Sequence, residues 1–474
     1  MSGSYGDFML PNQNVFKKVT DFYNDPEYFR QLVIIAVPIT LQNLLTSSLN
    51  MASSLMVGQL GEAPVAAIGL AGQLFFLLNL MLFGIMSGSA ILTAQLWGKG
   101  DVENVRRVLG FAVKMGMVAA LIFWSISIFA PEFVLGLYSN DPEVIRLGSE
   151  YLRIYCWSFP FFSVGFAYAM LMRTTGNVRL PLVVSVVALT INTILAYVLI
   201  FGLFGLPKMG IMGAAWAGLI ARIIEFFLLI GFTYRNRDNP TAASLRHLVE
   251  FDPKFMLNVL KPVLPVVLNE IFWSFGITMY SVIYAHMGTD AIAAINIVQP
   301  IDQLAFVAFL GIGNATAITV GNLIGKGETQ KAYRYAGRSL GLQIGGGILI
   351  GVLVYLFAGL IFSLYNVSAQ VILDANQILA FLSAAMWVRA SNHVIIIGIL
   401  RSGGDTRYSL VLDGFVIWIV GVPLAAAGAF LFHLPVGYVY ALALTEEVTK
   451  FIFGSWRYVS RKWINNMTNV VETA

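Results

Sequence analysis

Long uninterrupted apolar stretches constrain this chain more than any other feature of its sequence. Several exceed the roughly 18 to 20 residues that a helix needs to cross the hydrocarbon core of a bilayer, and the whole chain is 58% hydrophobic and only 11% charged. Because lipid offers no partners for backbone N–H and C=O groups, such segments form helices that satisfy their own hydrogen bonds. The sequence therefore predicts an all-α membrane protein with twelve transmembrane helices, at 31–57, 65–93, 108–130, 148–172, 180–203, 212–234, 258–286, 292–322, 336–364, 372–400, 408–431 and 436–459.

The distribution of lysine and arginine predicts the orientation. One set of loops carries nearly all of them, whereas the loops on the other side hold almost only Arg146 and Lys208. Cytoplasmic loops are enriched in these residues, so both termini should be cytoplasmic, which agrees with an even number of crossings. The first thirty residues are polar and lack the apolar core of a cleavable signal, so the first helix should direct insertion. We therefore expect a multi-pass protein of the cell (inner) membrane.

An internal repeat divides the chain into two halves. A shift of 227 residues places Pro38 on Pro265 and the triplet 98–100 on 325–327, and a shift of 228 places Arg173 on Arg401. Duplicated halves are common in secondary transporters, whose binding sites lie at the interface between the repeats. The predicted organisation is a cytoplasmic N-terminal segment at 1–30, a six-helix lobe at 31–234, a cytoplasmic linker at 235–257, a second pseudo-symmetric six-helix lobe at 258–459, and a cytoplasmic tail at 460–474.

Several segments together resemble one transporter family. The stretch Met56–Glu62, the turn Leu171–Gly176 with its repeat at Leu400–Gly404, and Gly210–Ala215 are similar to the multidrug and toxic compound extrusion (MATE) transporters. The resemblance covers essentially all twelve helices. It implies a V-shaped pair of lobes around a central cavity, which exports amphiphilic and often cationic compounds in exchange for Na⁺ or H⁺ without a cofactor.

The chain also departs from that family's pattern. Many members carry an aspartate in the first helix where this chain has Ser53. Members with a cation site in the amino-terminal lobe tend to have an Asn-x-x-x-Asp pair in the fifth helix, and here Asn192 is followed by Ala196. The usual acids of the amino-terminal lobe are therefore missing, which raises the question of whether the cation site has moved to the carboxy-terminal lobe.

Acidic residues inside the apolar segments are the candidates for cation coupling, because a carboxylate in hydrocarbon is costly. Glu270 and Asp302 each lie roughly ten residues into a helix, near the midplane, and Asp413 lies closer to the cytoplasmic side. We expect these three acids to couple transport to a cation, with Na⁺ held by Glu270 and Asp302 or a proton carried by one of them. The alternative is a structural role, with a buried ion pair to Arg389 or hydrogen bonds to neighbouring amides.

Polar and aromatic side chains of the helices are candidates for binding substrate. Aromatic faces suit flat cations, and amides supply hydrogen bonds, although packing and interhelical hydrogen bonding are the alternative roles. Pro38 and Pro265 occupy matching positions in the first and seventh helices and are candidate hinges. The substrate-binding candidates are Gln42, Asn43, Asn192, Trp273, Tyr280, Asn296 and Gln299.

Two close charge pairs are predicted to be structural. Arg222 and Glu225 are three residues apart, and so are Glu447 and Lys450, with Arg222 and Lys450 equivalent under the repeat. This spacing allows an ion pair within one helix.

Other classes of protein are excluded or disfavoured. The run Gly321–Lys326 has three residues between its glycines, whereas a nucleotide-binding Walker loop needs four. No catalytic triad or Cys/His metal set can be assembled, and the basic residues form no nucleic-acid-binding block. We expect a monomeric transporter, not an enzyme, whose partners are small amphiphilic substrates and membrane lipid. The alternatives are a flippase for lipid-linked saccharides, which should line its cavity with several arginines, and a passive channel.

Overall fold

The computed structural model describes residues 21–236, 238–363 and 367–469, and residues 1–20 and 470–474 of the predicted terminal segments lie outside this range. The described chain folds into helices that match the twelve predicted segments. Two of these segments consist of two consecutive helices. The twelve are α1 Pro26–Gly58, α2 Glu62–Lys99, α3 Val102–Phe129, α4 Pro142–Tyr155 with Ser158–Thr174, α5 Arg179–Phe201, α6 Ile211–Arg235, α7 Pro253–His286, α8 Thr289–Gly325, α9 Thr329–Phe362, α10 Ala369–Arg401, α11 Thr406–Leu431, and α12 Val436–Ala443 with Thr445–Val459.

Ten of these helices in the described ranges are, by length and composition alone, suited to cross a membrane unaided. The two parts of α4 meet at a bend of 54°, and the pair makes an eleventh candidate span if the two parts are counted as one. The two parts of α12 have 8 and 15 residues, so neither alone is long enough to cross a bilayer. The prediction of an all-α membrane protein is confirmed.

Each half of the chain forms its own bundle. In the first half α5 packs between α1 and α6, and α2 packs on α3 and α4; in the second half α9 packs on α10, and α8 packs on both. We call these bundles the N-lobe and the C-lobe. They meet along α1 and α2 on one side and α7 and α8 on the other.

Glycines at the meeting of the lobes show the pseudo-twofold symmetry directly. A Cβ atom at Gly98 would overlap the carbonyl oxygen of Asn322, and one at Gly325 would overlap the carbonyl oxygen of Gln95. Both glycines and both carbonyls are related by the 227-residue shift found in the sequence. Gly84 repeats the pattern, because its missing Cβ leaves room for Val267 on α7. All these close approaches lie in the C-terminal halves of α2 and α8, so the lobes are closed at that end of the bundle.

Two ion pairs hold the starts of α1 and α7 against the opposite lobe at this closed end. Asp25 caps α1 and pairs with Arg338 on α9, and Asp252 caps α7 and pairs with Arg107 on α3, at 2.9 Å. The backbone N–H of Phe255 lowers the pKa of Asp252, and the nearby Arg107 lowers it further. We call these two the anchor pairs. The cap at Asp252, followed by proline, starts α7 at Pro253 and not at the predicted residue 258.

The chain after α12 adds a third contact between the lobes. Trp463 is completely buried, and the N–H of Met467 donates to Oε1 of Gln95 on α2 at 2.6 Å. The side-chain amide of Gln95 in turn donates to the carbonyl oxygen of Ser402 in the C-lobe at 2.9 Å. The described part of the predicted tail is therefore packed against both lobes.

Candidate functional site

A cluster of five charged side chains lies in the C-lobe, four of them buried and the fifth, Asp413, partly buried. Nη1 of Arg401 is 2.8 Å from Oε1 of Glu270, and Nζ of Lys450 is 3.0 Å from Oδ1 of Asp413 and 3.4 Å from Oε1 of Glu446. The side chains of Arg401 and Lys450 are each only 2% exposed. We call these five residues the C-lobe cluster. Three carboxylates face two basic side chains, so the cluster has one negative charge in excess when all five groups are ionised.

The irregular winding of two helices positions this cluster. Residues Val394–Arg401 at the end of α10 and Leu410–Phe415 in α11 form wider π-helical turns. Such turns shift the side chains that follow them around the helix axis and occur frequently at functional sites. Here they bring Arg401 and Asp413 towards α7, where Nδ2 of Asn269 donates to Oδ2 of Asp413 at 2.8 Å.

A cavity of about 190 Å³ adjoins the cluster between α7, α8, α10 and α12. Asp302 and Arg389 line it and form a two-pronged ion pair, at 2.5 and 3.1 Å. Glu446 also lines the cavity, and its Oε2 is buried without a hydrogen-bond partner among the described residues. Glu446 therefore links the C-lobe cluster to a cavity that is also lined by the carboxylates of Asp302 and Glu447.

The equivalent place in the N-lobe holds a different set of groups. Nη2 of Arg173 donates to Oε1 of Gln42, whose amide donates to Ser185, and Ser185 donates to Glu225, with distances of 2.8, 2.8 and 3.0 Å. Arg222 closes the chain with an ion pair to Glu225 at 2.6 Å. We call these five residues the N-lobe chain. Under the repeat, Gln42 corresponds to Asn269, Arg173 to Arg401, Ser185 to Asp413 and Arg222 to Lys450.

The N-lobe also has a cavity, of about 350 Å³. Ser53, Asn192 and Ala196 all line it, and none of its lining residues is acidic. The fold thus brings together the two positions at which the resemblance led us to expect acids, and both are neutral here.

The structure separates the two predicted sodium ligands. Glu270 pairs with Arg401 and Asp302 pairs with Arg389, and the cavity lined by Asp302 is not lined by Glu270. Asp413, the third predicted coupling residue, belongs to the same cluster as Glu270. Among the described residues, no group of three or more His, Cys, Asp or Glu side chains is arranged to hold a metal ion.

The predicted substrate ligands fall in several places. Tyr280 and Gln299 line the C-lobe cavity, Asn192 lines the N-lobe cavity, and Gln42 is held in the N-lobe chain. The remaining three are accessible, since Asn43 and Trp273 are half-buried and Asn296 is exposed. Pro38 and Pro265 lie inside helices that continue past them.

One predicted ion pair is confirmed and one is wrong. Arg222 and Glu225 pair as expected. Lys450 contacts Glu446 and Asp413 and not Glu447, whose Oε2 accepts a hydrogen bond from Nδ2 of Asn392 at 2.6 Å. The four-residue spacing places Glu446 above Lys450 on the same face of the helix, and the three-residue spacing turns Glu447 towards α10.

Sequence reasoning missed Arg401 and Glu446 as members of the site. Arg401 was assigned to a cytoplasmic loop, but α10 extends through it and buries it. Its match with Arg173 under the repeat was the available signal. For Glu446, the signal was a pair of adjacent acids, Glu446 and Glu447, in an otherwise apolar segment.

A duplicated helical bundle with buried charges beside its cavities is typical of a secondary transporter. The MatE family model matches the chain twice, at residues 38–198 and 265–427, once in each lobe. The chain therefore belongs to the MATE family, whose members are transporters and not enzymes.

Relatives and solved structures agree with this assignment. The probable multidrug resistance protein YoeA of Bacillus subtilis is 30% identical over 94% of this chain and 96% of its own length. The multidrug resistance protein PmpM of Pseudomonas aeruginosa is 25% identical over 83% of each chain. The Vibrio cholerae MATE transporter VcmN in its bent form superposes with a TM-score of 0.83 at 19% identity, covering 94% of this chain and 98% of that one. MATE transporter structures have twelve helices, which is the number predicted from this sequence.

Proposed function

We propose that this protein is a secondary active antiporter that exports amphiphilic, cationic drugs or toxins in exchange for Na⁺ or H⁺ by alternating access. The observation that carries the proposal is the excess of buried acid in the C-lobe. The C-lobe cluster and its cavity contain Glu270, Asp413, Glu446, Asp302 and Glu447, whereas the N-lobe chain contains a single acid, Glu225. A cation that enters the C-lobe cavity finds carboxylates that are not fully neutralised.

Competition for the carboxylates supplies the coupling. Glu270 is shared between Arg401 and any cation that reaches it, and Asp413 is shared between Lys450 and Arg401. Binding of Na⁺ or a proton releases the basic side chains from their partners. Because these residues lie on α7, α10, α11 and α12, a change in their pairing alters how the C-lobe helices pack.

Substrate binds between the lobes, on the side away from their closed end, in this proposal. Gln42, Asn43 and Asn296 supply hydrogen bonds, and Trp273 supplies an aromatic face for a flat cation. The basic loops of the sequence lie at the closed end of the bundle, so we assign this end to the cytoplasm of a monomer in the inner membrane. The structure then represents the outward-open state, and Pro38 and Pro265 are the hinges through which α1 and α7 bend towards the inward-open state.

Transport of a fluorescent cationic dye into everted vesicles, which corresponds to efflux from the cell, tests this function under an imposed Na⁺ or H⁺ gradient. One of the two gradients should drive efflux by the native protein. Glu270→Gln should reduce the gradient-driven rate by about tenfold or more, because it removes a carboxylate that binds the coupling ion. Glu143→Gln, at an exposed position at the start of α4, is the control and should transport normally. Undiminished gradient-driven efflux by Glu270→Gln would remove this residue from the mechanism.

A further inference from the structure

Glu446 is the least compensated of the three acids in the C-lobe cluster. Oε1 of Glu270 lies 2.8 Å from Nη1 of Arg401. Oδ1 of Asp413 lies 3.0 Å from Nζ of Lys450, and Oδ2 of Asp413 accepts a hydrogen bond from a neighbouring amide. Glu446 has the same Lys450 as its basic partner among the described residues, at the longer distance of 3.4 Å from Oε1. The excess negative charge of the cluster is therefore poorly balanced at Glu446.

The second carboxylate oxygen of Glu446 is buried and borders the C-lobe cavity. Glu446 is only 4% exposed, and its Oε2 has no hydrogen-bond partner among the described residues. The hydroxyl of Tyr280 is also buried without an aligned partner, and a Cβ atom at Gly421 would contact both oxygens. Glu446 lines the cavity, whereas Glu270 and Asp413 do not. A buried carboxylate oxygen without a hydrogen bond is unfavourable, so the ionised form of Glu446 is poorly stabilised.

The basic groups around Glu446 are already engaged by other acids. Arg389 forms its two-pronged ion pair with Asp302, and Lys450 is shared with Asp413. Glu447 brings a further carboxylate to the cavity lining. No basic group of this set is left for Glu446 alone. The charged and titratable groups around Glu446 are Lys450 and Glu447 on α12, Tyr280 and Tyr284 on α7, Asp302 on α8, Arg389 on α10 and Asp413 on α11.

The C-lobe cavity lies in the half of the lobe away from the closed end. α7 begins at the closed end, and Tyr284 lies near its other end. α8 runs in the opposite direction, and Gln299 lies in its first third. Because the closed end is assigned to the cytoplasm, the cavity and Glu446 lie towards the outer side of the membrane.

A single free oxygen suits a proton better than a metal ion. Hard metal cations are held by several oxygen ligands, and no group of three or more His, Cys, Asp or Glu side chains in the described ranges is arranged to hold a metal. A proton needs one oxygen, and a neutral carboxyl group is less costly to bury than a carboxylate. Protonation of Glu446 leaves two carboxylates for the two basic groups of the cluster, which removes the excess charge.

We propose that Glu446 carries the coupling ion and that this ion is a proton. The inference rests on the antiport function proposed above and names its ion and the side chain that holds it. In the outward-open state, a proton from the outer aqueous phase reaches Oε2 and forms an O–H bond, and Lys450 then pairs with Asp413 alone. In the inward-open state this O–H bond breaks, and the proton leaves to the cytoplasm. Glu270 and Asp413 contribute through the negative charge that they add to the cluster.

Infrared difference spectra of the purified full-length protein test the site. They are recorded between neutral and alkaline pH, where exposed carboxylates stay ionised. The native protein should show the C=O band of a protonated carboxylic acid, which disappears as the pH rises, with or without Na⁺. Glu446→Gln should lose this band. Glu225→Gln is the matched control, because it removes a helical acid that is paired with Arg222, and it should keep the band.

Two infrared outcomes would overturn the proposal. These are the absence of the band from the native protein and its persistence in Glu446→Gln. If Glu446→Gln does not fold, Glu446→Asp decides the matter. This variant keeps a titratable group but moves it, so the band should change position. A band at the native position in Glu446→Asp would assign the proton to another residue.

Dye transport separates a proton carrier from a residue that only supports the fold. Everted vesicles with an acidic interior and no Na⁺ should accumulate a fluorescent cationic dye through the native protein. Glu446→Gln should lower this rate by about tenfold or more. Movement of the dye down its own gradient should persist in Glu446→Gln and lose its dependence on pH, because the amide cannot bind or release a proton. An unchanged pH profile in Glu446→Gln would contradict the proposal.

The proton carrier and the antiport function can fail separately. Dye accumulation driven by a Na⁺ gradient, without any response to a pH gradient, would leave the antiport function in place and reject Glu446 as the carrier. An infrared band that is lost in Glu446→Gln, in a protein that neither gradient drives, would leave the proton site in place and reject the transport proposal.

Discussion

The two lobes share one backbone plan but use equivalent positions for different chemistry. Where the N-lobe has Ser185, the C-lobe has Asp413, and the amide Gln42 corresponds to the amide Asn269. The N-lobe chain joins two arginines through neutral groups to one carboxylate. The C-lobe cluster joins two cations to three carboxylates. The two copies thus share one scaffold, and the cluster with three carboxylates occurs in the C-lobe alone among these two equivalent sites.

This difference has a physical consequence. A carboxylate buried in a helical bundle is stable only while a basic group or a bound cation compensates it. In the C-lobe cluster two basic groups face three acids, whereas in the N-lobe chain two arginines face one acid. We therefore expect the C-lobe to respond to cations and the N-lobe to remain a rigid counterpart.

Substitution of the two equivalent basic residues, Lys450 and Arg222, should have the largest effect on stability and should show the difference between the lobes most clearly. Lys450→Met leaves Asp413 and Glu446 buried without their cation, and we expect it to destabilise the protein by about 3–5 kcal/mol. Arg222→Met leaves only Glu225 unpaired, near a second arginine, and should cost less. Thermal unfolding in detergent measures both. Equal losses would contradict the proposed difference between the lobes.

Conversion of the C-lobe cluster to the N-lobe pattern should weaken the coupling of transport to a cation, with a smaller effect on stability. Asp413→Ser removes the excess negative charge and leaves the Glu270–Arg401 and Glu446–Lys450 pairs in place. We expect gradient-driven dye efflux to fall by about tenfold, a change of 1.4 kcal/mol. Ser185→Asp, the reverse change in the N-lobe, is the matched control and should retain efflux. Loss of efflux in the control with normal rates in Asp413→Ser would reverse the assignment of the lobes.

Substitution of the symmetry-related glycines should affect both lobes alike. Gly98→Ala and Gly325→Ala each place a methyl group against a backbone carbonyl of the opposite lobe. Each should destabilise the closed end by about 1–3 kcal/mol, and the two values should agree closely. Unfolding of the two variants side by side measures this. A large difference between them would show that the pseudo-symmetry does not extend to the energetics.

Substitutions in the anchor pairs should have the smallest effects on stability, and the two pairs should differ from each other. Arg338 is buried among Asp25, the carbonyl oxygen of Phe22 and the ring of Tyr28, so Arg338→Gln should cost about 1–2 kcal/mol. Arg107→Gln should cost less, because both members of its pair are partly exposed to solvent. Unfolding measured at several salt concentrations should show salt dependence only for the Arg107 pair, and a larger loss in Arg107→Gln would contradict this ranking.

Acid should weaken the Asp252 anchor. Its pKa is lowered in the folded protein, so the contribution of this carboxylate to stability is present above the ordinary aspartate value and is lost as the pH falls through the lowered one. Asp252→Asn should remove that part of the pH dependence. An unchanged acid limb in this variant would show that the pair is not coupled to folding.

Much of the architecture was determined by the sequence itself. The length of the apolar stretches specified the helices, because the hydrocarbon core of a bilayer offers no hydrogen-bond partners to the backbone. The 227-residue repeat specified the symmetry that Gly98 and Gly325 display. The Arg222–Glu225 pair followed from helical spacing alone. These features depend on local chemistry, which a sequence reports directly.

Only the tertiary structure decided which charges meet. Glu270 was recognised as a buried acid, but its partner Arg401 lies on another helix and reaches it through π-helical turns that leave no mark in hydropathy. The sequence analysis placed Asp302 beside Glu270 because both residues lie at a similar depth in the membrane. In the structure, the rotation of α8 about its axis directs Asp302 towards Arg389 instead. Depth follows from position along a helix, whereas contact depends on helix rotation and packing, which are set by many weak interactions across the whole bundle.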